Sequence, residues 1–296
     1  MAKIYGGEKL YNQKLYDAVF GFVIGDALGV PYEFRKRGSF LCQDMIGYGT
    51  HEQPAGTWSD DTAMTLATLR SLKKNKNKNK IVLEDIREKF LRWLNDGDFS
   101  ADGEIFDVGH ATLKALATGI PRSGEYDNGN GSLMRILPLA FVDCTDEEIK
   151  AVSAITHGHW ISQEACVIYV HVIRRLLTGE TIDGIIPTLQ YVRPFDRLCK
   201  INTLPEEQIK SSGFVVDTLE AALWSVNQTV EAGKNGGRKE NAFASSVLRA
   251  INLGEDTDTI GAVAGGLAGV MFGLGNQGER WLNMLRNKEL ILDCLW

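Results

Sequence analysis

The sequence predicts an all-α fold arranged as a single domain, residues 1–296. Three observations support this prediction. Apolar residues recur at helical spacing along most of the chain, alternating strand patterns and β-hairpin signals are scarce, and no change of composition marks a linker. The length allows one large domain or two modest ones. Two acid-rich motifs, one near each end of the chain, are expected to meet, and this favours one domain.

The predicted helices of the first half show an apolar face or a recognisable first turn. Helix 15–28 groups its apolar residues on one face, and helix 62–72 follows an acidic start. Helix 83–94 repeats apolar residues at intervals of four, with two acids in its first turn, where the helix dipole favours them. A further helix is expected after Gly109.

The second half is equally helical. Helix 147–156 follows a Thr145-Asp146 cap, and helix 162–177 ends shortly before Gly179. Helix 215–232 distributes aromatic and small residues for burial. The last predicted helices are 242–253, 260–272 and 279–285.

Composition narrows the class of protein. Hydrophobic residues make up 44% of the chain and charged residues 24%, which is ordinary for a soluble globular protein. The net charge of -6 makes a nucleic-acid backbone a poor partner. The lysine- and asparagine-rich run 73–80 is interpreted as a solvated loop between helices, with a nucleic-acid contact as the alternative.

Cysteine usage and hydropathy predict a cytoplasmic location. The five cysteines form no Cys-x-x-Cys pair, which fits reduced thiols and gives no support for zinc. Residues 1–16 lack the apolar run of a signal peptide. The most apolar stretch, 260–274, is 15 residues long and glycine-rich, whereas a membrane span needs roughly 20.

Two short acid-rich clusters, far apart in sequence, each open a predicted helix. They are Ser59-Asp60-Asp61-Thr62 and Asp256-Thr257-Asp258-Thr259. Either cluster alone is explained by helix capping. Taken together they indicate a metal centre, since converging carboxylates need a positive charge between them and hard divalent cations bind oxygen ligands. Glycines at 261, 265 and 269 form a bare helical stripe that allows close approach of another helix.

Three further segments carry candidate functional residues. Gly25-Asp26 with Glu33 would bring another carboxylate to the site, or simply end a helix. The glycine-rich run 128–132 precedes a predicted helix and is either a phosphate-binding loop or a tight turn. His157 and His159 resemble metal ligands, but zinc would require further nitrogen or sulfur ligands, so a polar pocket wall or plain surface is favoured.

The order and spacing of these motifs resemble those of the ADP-ribosylglycohydrolases along the whole chain. The matching segments are Gly25-Asp26-Ala27-Leu28-Gly29 with Glu33, Trp58-Ser59-Asp60-Asp61-Thr62, Phe106-Asp107-Val108-Gly109, Asn128-Gly129-Asn130-Gly131-Ser132-Leu133-Met134-Arg135, Thr156-His157-Gly158-His159 and Gly254-Glu255-Asp256-Thr257-Asp258-Thr259-Ile260-Gly261.

The resemblance implies an all-α fold with two divalent cations, Mg²⁺ or Mn²⁺. The implied metal ligands are Ser59, Asp60, Asp61, Asp256, Asp258 and Thr259. The implied catalytic residues are Glu33 and Asp107, and the implied substrate-binding residues are Asn128, Gly129, Asn130, Gly131, Ser132, Met134 and His157. Position 59 is serine where many members have threonine, and position 110 is histidine where asparagine is frequent, which bears on the role of Asp107.

The expected activity is hydrolysis of the bond between ADP-ribose and an acceptor, with arginine in a modified protein favoured. The expected substrate is an ADP-ribosylated protein, the expected product is ADP-ribose, and the expected form is a monomer that contacts no membrane. Three alternatives stay open: hydrolysis of O-linked ADP-ribose, action on ADP-ribosylated nucleic acid, and ADP-ribose binding without turnover.

Overall fold

The computed structural model describes residues 8–76, 80–234 and 241–296. These residues contain twelve α-helices, short 3-10 helices and no β-strand. The α-helices are α1 Glu8–Gly29, α2 Asp60–Asn75, α3 Leu83–Asp96, α4 His110–Thr118, α5 Asp146–Ser153, α6 Trp160–Leu177, α7 Ile182–Ile185, α8 Val215–Lys234, α9 Ala242–Ile251, α10 Thr257–Phe272, α11 Gly275–Leu282 and α12 Lys288–Cys294. The predicted all-α fold is confirmed.

Several predicted helix boundaries were wrong. Helix α1 starts at Glu8, because Tyr11 continues the buried face that Leu15 begins. Helix α2 runs through Lys73 to Asn75, where lysines favourably face the negative end of the helix dipole. The predicted loop therefore starts later than residue 73, and its residues 77–79 lie outside the described part of the chain.

Later in the chain, the expected cap at Thr145 is present as a capping box. Helix α5 nevertheless ends at Ser153 rather than 156, because residues 154–157 turn back towards the core. The helix expected at 279–285 lies earlier, as α11, and α12 was not predicted because it is only 7 residues long.

Helices α1 and α10 form the centre of the fold, and their backbones touch. A Cβ atom added to Gly25 would lie 2.0 Å from the carbonyl oxygen of Gly261. One added to Gly265 would lie 2.1 Å from the carbonyl oxygen of Gly21. The predicted glycine stripe of α10 therefore does admit a close helix. That helix is α1, not the α2 helix that carries the first acidic cluster.

This pairing fixes the start of α10 against the end of α1. The Thr257 hydroxyl donates a hydrogen bond of 2.8 Å to the carbonyl oxygen of Gly29. A Cβ atom on Gly29 would lie 2.4 Å from the Cα atom of Asp258. The second acidic cluster thus lies directly beside the last turn of α1. Among the described residues, no helix combines the length and the apolar character needed to cross a bilayer.

Candidate active site

The first acidic cluster is held by a buried carboxylate on α1. Asp26 is fully buried and accepts hydrogen bonds from the backbone amides of Ser59 and Thr62, both at 3.0 Å, and from the Thr62 hydroxyl at 2.6 Å. Ser59 also caps α2, as its side chain accepts from the Asp61 amide. Asp26 was not among the predicted site residues. The Gly25-Asp26 segment was interpreted either as part of the site through Glu33 or as a helix end, and no role was assigned to Asp26 itself.

The second acidic cluster is the first turn of α10. Asp256 is the N-terminal flanking residue, and its Oδ2 atom accepts a 2.8 Å hydrogen bond from the Asn130 side chain. The Oδ1 atom of Asp258 accepts from the Thr259 amide at 2.9 Å. The Asp256 side chain makes no cap hydrogen bond to α10, so helix capping alone does not explain this cluster. Each of the two carboxylates uses one oxygen for a protein hydrogen bond and leaves the other without a partner among the described residues.

The two clusters converge on one buried, acid-rich centre. Carboxylate oxygens of Asp26, Asp61 and Asp258 lie within 4.8 Å of one another, and these three side chains are fully buried. One oxygen of Asp61, one of Asp256 and one of Asp258 are buried without a hydrogen-bond partner among the described residues. Such bare oxygens are costly unless a cation or proton satisfies them.

The electrostatics of this centre call for positive charge. Burial, reinforced by neighbouring carboxylates, holds the pKa of Asp60, Asp61 and Asp258 well above the usual range of a carboxyl group. Within the described ranges, no lysine or arginine forms an ion pair with these three residues. A set of oxygen donors with this shortage of positive charge fits hard divalent cations. The acidic clusters are therefore able to bind metal ions.

A second group of side chains borders this centre. The buried carboxylate of Glu33 is hydrogen-bonded to the Nε2 atom of His51. Atoms of Glu33, His51, Asp107 and Asp258 lie within 4.8 Å of one another. Burial raises the pKa of Glu33 to about 7, against the opposing effect of the His51 hydrogen bond. Asp107 has a φ of 53°, in the left-handed region that aspartate tolerates better than most residues.

His51 was missed by the sequence reasoning. It lies in a stretch between the 3-10 helix Val30–Tyr32 and α2 that has no helical periodicity. Its pairing with Glu33 depends on a fold-back of that stretch, which also brings the Thr50 hydroxyl to the carbonyl oxygen of Glu33 at 2.6 Å. No local motif encodes this contact.

A cavity of about 410 Å³ opens above the acidic centre. Ten of the predicted site residues line it: Glu33, Asp60, Asp107, Gly129, Asn130, Gly131, Met134, His157, Asp256 and Thr259. Ser59, Asp61 and Asp258 do not line the cavity and form the buried layer beneath it. Two exposed aromatic residues, Phe34 and Tyr126, lie on the cavity wall.

Asn128 and Ser132 do not line the cavity. The Asn128 side chain donates to the Glu125 carbonyl oxygen and accepts from the Ser162 hydroxyl, so it shapes the loop from behind. The Ser132 hydroxyl accepts from Ser153 in the core. The structure places both predicted substrate-binding residues in supporting positions around the loop.

The prediction of an α-helix directly after the glycine-rich loop was wrong. A 3-10 helix of three residues, Leu133–Arg135, follows instead. The loop also pairs with residues 213–215, because the Asn130 amide donates to the Gly213 carbonyl oxygen and the Asn128 carbonyl accepts from Val215. These bonds hold the loop against the start of α8.

The two predicted histidines have different environments. His157 is 2% exposed and lines the cavity. His159 caps α6, and its Nδ1 atom accepts from the Ile161 amide at 3.3 Å. The two rings do not share a site, so the interpretation of His157 as part of a polar pocket wall fits the structure better than a histidine metal pair.

The fold and the site together define a class of all-α protein with a buried carboxylate centre beneath a cavity large enough for a substrate. Comparison with known proteins points to the same class. A family model described as ADP-ribosylglycohydrolase matches residues 8–295. A solved structure titled "ADP-ribosylglycohydrolase-related protein complex" superposes with a TM-score of 0.75 at 28% identity, covering 97% of this chain and 98% of the other.

Two relatives match nearly the whole chain. An ADP-ribosylarginine hydrolase, Tri1, from Pseudomonas putida is 32% identical, over 90% of this chain and 72% of its own length. An ADP-ribosyl-[dinitrogen reductase] glycohydrolase from Rhodospirillum rubrum is 30% identical, over 95% and 93% respectively. The chain belongs to the ADP-ribosylglycohydrolase family, which confirms the resemblance seen in the sequence and identifies the protein as a hydrolytic enzyme.

Proposed function

We propose that this chain hydrolyses the bond between ADP-ribose and a guanidino nitrogen of arginine in a modified protein. The observation that carries the proposal is the opening of the buried acidic centre, through Asp60 and Asp256, into a cavity of about 410 Å³. Small-molecule sites have this order of volume. The relatives named for ADP-ribosylarginine and for ADP-ribosylated dinitrogen reductase support arginine as the acceptor.

The proposed cofactors are two divalent cations, Mg²⁺ or Mn²⁺. We assign their ligands to Ser59, Asp60, Asp61, Asp256, Asp258 and Thr259. When bound, such cations supply Lewis-acid chemistry and neutralise the carboxylates. The free oxygens of Asp61, Asp256 and Asp258 support this assignment, since each is buried and lacks a protein partner among the described residues.

Glu33 and Asp107 are the proposed proton-transfer residues. Hydrolysis breaks the bond between the anomeric carbon and the guanidino nitrogen, and the oxygen of water takes the place of that nitrogen. A carboxylate accepts one proton from the water, and the departing nitrogen gains one. Both carboxyl groups border the cavity, and their atoms lie within 4.8 Å of each other, so both reach the same bond. His51 holds Glu33 in place.

The cavity wall suits the remainder of an ADP-ribosyl group. Gly129 and Gly131 line the cavity and let the His157 ring pack against the loop, and Asn130 is fixed there by its bonds to Asp256 and Thr218. The exposed rings of Phe34 and Tyr126 offer apolar faces on which a nucleobase can stack.

Met134 and His157 complete the proposed substrate-binding set, while Asn128 and Ser132 would act by shaping the loop.

Acceptor profiling tests the proposal. Purified protein is incubated with ADP-ribosyl-arginine and with ADP-ribosyl-serine peptides, with Mn²⁺ or with excess chelator, and released ADP-ribose is quantified by chromatography. We expect release from the arginine conjugate only, and only with metal. Asp60→Asn serves as the inactive control. Full activity in chelator, or release from serine conjugates alone, would overturn the proposal.

Cellular location and oligomeric state remain predictions. The cysteines of the chain are all free thiols in the structure, consistent with reduced cysteines. We propose that the protein acts in the cytoplasm as a monomer, because the cavity is formed by a single chain. Size-exclusion chromatography with light scattering would give about 33 kDa for a monomer.

A further inference from the structure

A buried arginine lies behind the cavity wall without an anionic partner among the described residues. Arg135 is fully buried, and its guanidinium donates to the carbonyl oxygens of Gly131 and Val152 and to the Thr156 hydroxyl. The ring of Phe90 covers it at 4.6 Å from the guanidinium carbon. These contacts fix both the place and the direction of the guanidinium N–H groups.

The Thr156 hydroxyl joins this arginine to the histidine on the cavity wall. Its oxygen lies 2.7 Å from Nη2 of Arg135 and 2.8 Å from Nδ1 of His157. A guanidinium only donates hydrogen bonds, so the threonine oxygen must accept from Arg135. In the part of the chain that the structure describes, Nδ1 of His157 is the single acceptor within reach of the threonine hydrogen.

The direction of these two bonds determines the state of the imidazole. If the threonine hydrogen points at Nδ1, then Nδ1 carries no proton, and a neutral ring holds its proton on Nε2. Burial of the ring and the nearby charge of Arg135 both disfavour the imidazolium and lower the pKa of His157 to about 3, while Asp127 acts weakly in the opposite sense.

The protonated edge of the ring faces the substrate side of the wall. A Cβ atom on Gly131 would lie 2.8 Å from Cε1 and 3.4 Å from Nε2 of His157, and one on Gly129 would lie 3.7 Å from Nε2. Both glycines and His157 line the cavity. The Nε2 atom makes no hydrogen bond with any described residue, so its N–H is available to a ligand.

We propose that Arg135 and Thr156 are positioning residues that lock His157 as a permanent hydrogen-bond donor towards an acceptor oxygen of the bound ADP-ribosyl group. The identity of the ligand rests on the proposed function, whereas the state of the ring does not. A ring locked in this way cannot take a proton from water at Nε2. These linked hydrogen bonds from Arg135 through Thr156 to His157 therefore assign His157 to substrate binding. Proton transfer is left to the carboxyl groups.

Nitrogen-15 NMR of the imidazole tests the locked ring without any substrate. In the wild-type protein at pH 7 we expect His157 to be neutral, with the proton on Nε2. Thr156→Val removes the hydroxyl with little change in shape, and should give a mixture of the two neutral forms. Thr156→Ser keeps the hydroxyl and should keep the Nε2–H form. A wild-type ring protonated on Nδ1, or on both nitrogens, overturns the proposal even if the valine variant fails to fold.

Binding of ADP-ribose then tests the consequence for the ligand. Thr156→Val should weaken ADP-ribose binding, and raise KM for ADP-ribosyl-arginine, by about three- to tenfold, the loss expected for one well-placed hydrogen bond. The value of kcat should change by less than about twofold, and Thr156→Ser should behave like wild type. If Thr156 had a purely structural role, Thr156→Val would also lower kcat, and Thr156→Ser would not restore the wild-type kcat and KM. That result would contradict the proposed positioning role. If the wild-type His157 ring is neutral with its proton on Nε2 but the protein does not bind ADP-ribose, the result would instead count against the proposed function.

Discussion

The buried acidic centre gives an unusual expectation for stability: removal of one of its charges should stabilise the metal-free protein. Asp258 is fully buried, and one of its oxygens lies within 4.8 Å of oxygens of Asp26 and Asp61. Two ionised groups at that distance repel by about 3 kcal/mol at an effective dielectric constant of about 20. Asp258→Asn removes such a pair while it keeps the shape of the side chain.

The predicted change follows from this magnitude. For a chain of this size, 1 kcal/mol shifts the Tm by roughly 2 °C. Asp258→Asn should therefore raise the Tm of the metal-free protein by about 6 °C at pH 8. In wild type, a cation at about 100 times its Kd adds about 2.7 kcal/mol and a similar rise in Tm. In Asp258→Asn this rise should disappear.

The pH dependence has the same physical origin. Burial raises the pKa of Asp26 to about 6 and that of Glu33 to about 7 in the folded protein. Because the folded protein binds these protons more tightly than the unfolded chain, their stabilisation is complete below about pH 4 and is lost as pH rises through about 6 to 7. Metal-free wild type should thus be more stable at pH 5 than at pH 8.

Differential scanning fluorimetry with chelator and with Mn²⁺, at pH 5 and pH 8, measures all of these shifts. Asp143→Asn is the matched control, since it removes the same charge from an exposed position. The reasoning is refuted if Asp258→Asn lowers the Tm of the metal-free protein at pH 8, or if its Tm still rises with Mn²⁺ as much as that of wild type.

Three further predictions concern the parts of the scaffold that hold the centre. Gly265→Ala places a methyl group against the backbone of α1 and should cost about 3 kcal/mol in chemical denaturation. Gly233→Ala, in open space on α8, is the control and should stabilise by about 0.5 kcal/mol. Asp26→Asn replaces the carboxylate acceptor that fixes the start of α2. It should therefore lower the Mn²⁺ affinity measured by calorimetry by more than about tenfold. An Mn²⁺ affinity equal to that of wild type would contradict this. The His51 hydrogen bond opposes the rise in the pKa of Glu33. His51→Gln should therefore move the acid limb of the pH profile of kcat/KM to higher pH. An acid limb at the wild-type pH would contradict the functional pairing of His51 with Glu33.

Local patterns were sufficient to predict most of the longer helices and the acid-rich helix starts, but not the short helices α7 and α12. Helical spacing of apolar residues marks α3, α6 and α8 with little ambiguity, and the capping box at Thr145 was visible as a cap. The glycine stripe of α10 was visible because its period of four is helical. The helix that the stripe contacts could not be identified from the sequence. Gly25 of α1 is more than two hundred residues away and pairs with the stripe only in the folded chain.

The residues that the sequence did not reveal act through long-range contacts. Asp26 was given no role of its own in a segment interpreted as part of the site or a helix end, yet it organises the start of α2. His51 lies in a stretch with no periodicity, and its role appears only when that stretch folds back on Glu33. Arg135 looked like part of a glycine-loop motif, although its side chain turns inward to Thr156. In each case the hydrogen-bond partner, rather than the local pattern, determines the role.

The most direct measurement of the central claim is anomalous diffraction from crystals soaked in Mn²⁺. The account predicts manganese density between the start of α2 and the start of α10, with Asp61 and Asp258 as ligands. Clear diffraction to a resolution that shows both side chains, with no anomalous density between them at saturating Mn²⁺, would contradict it.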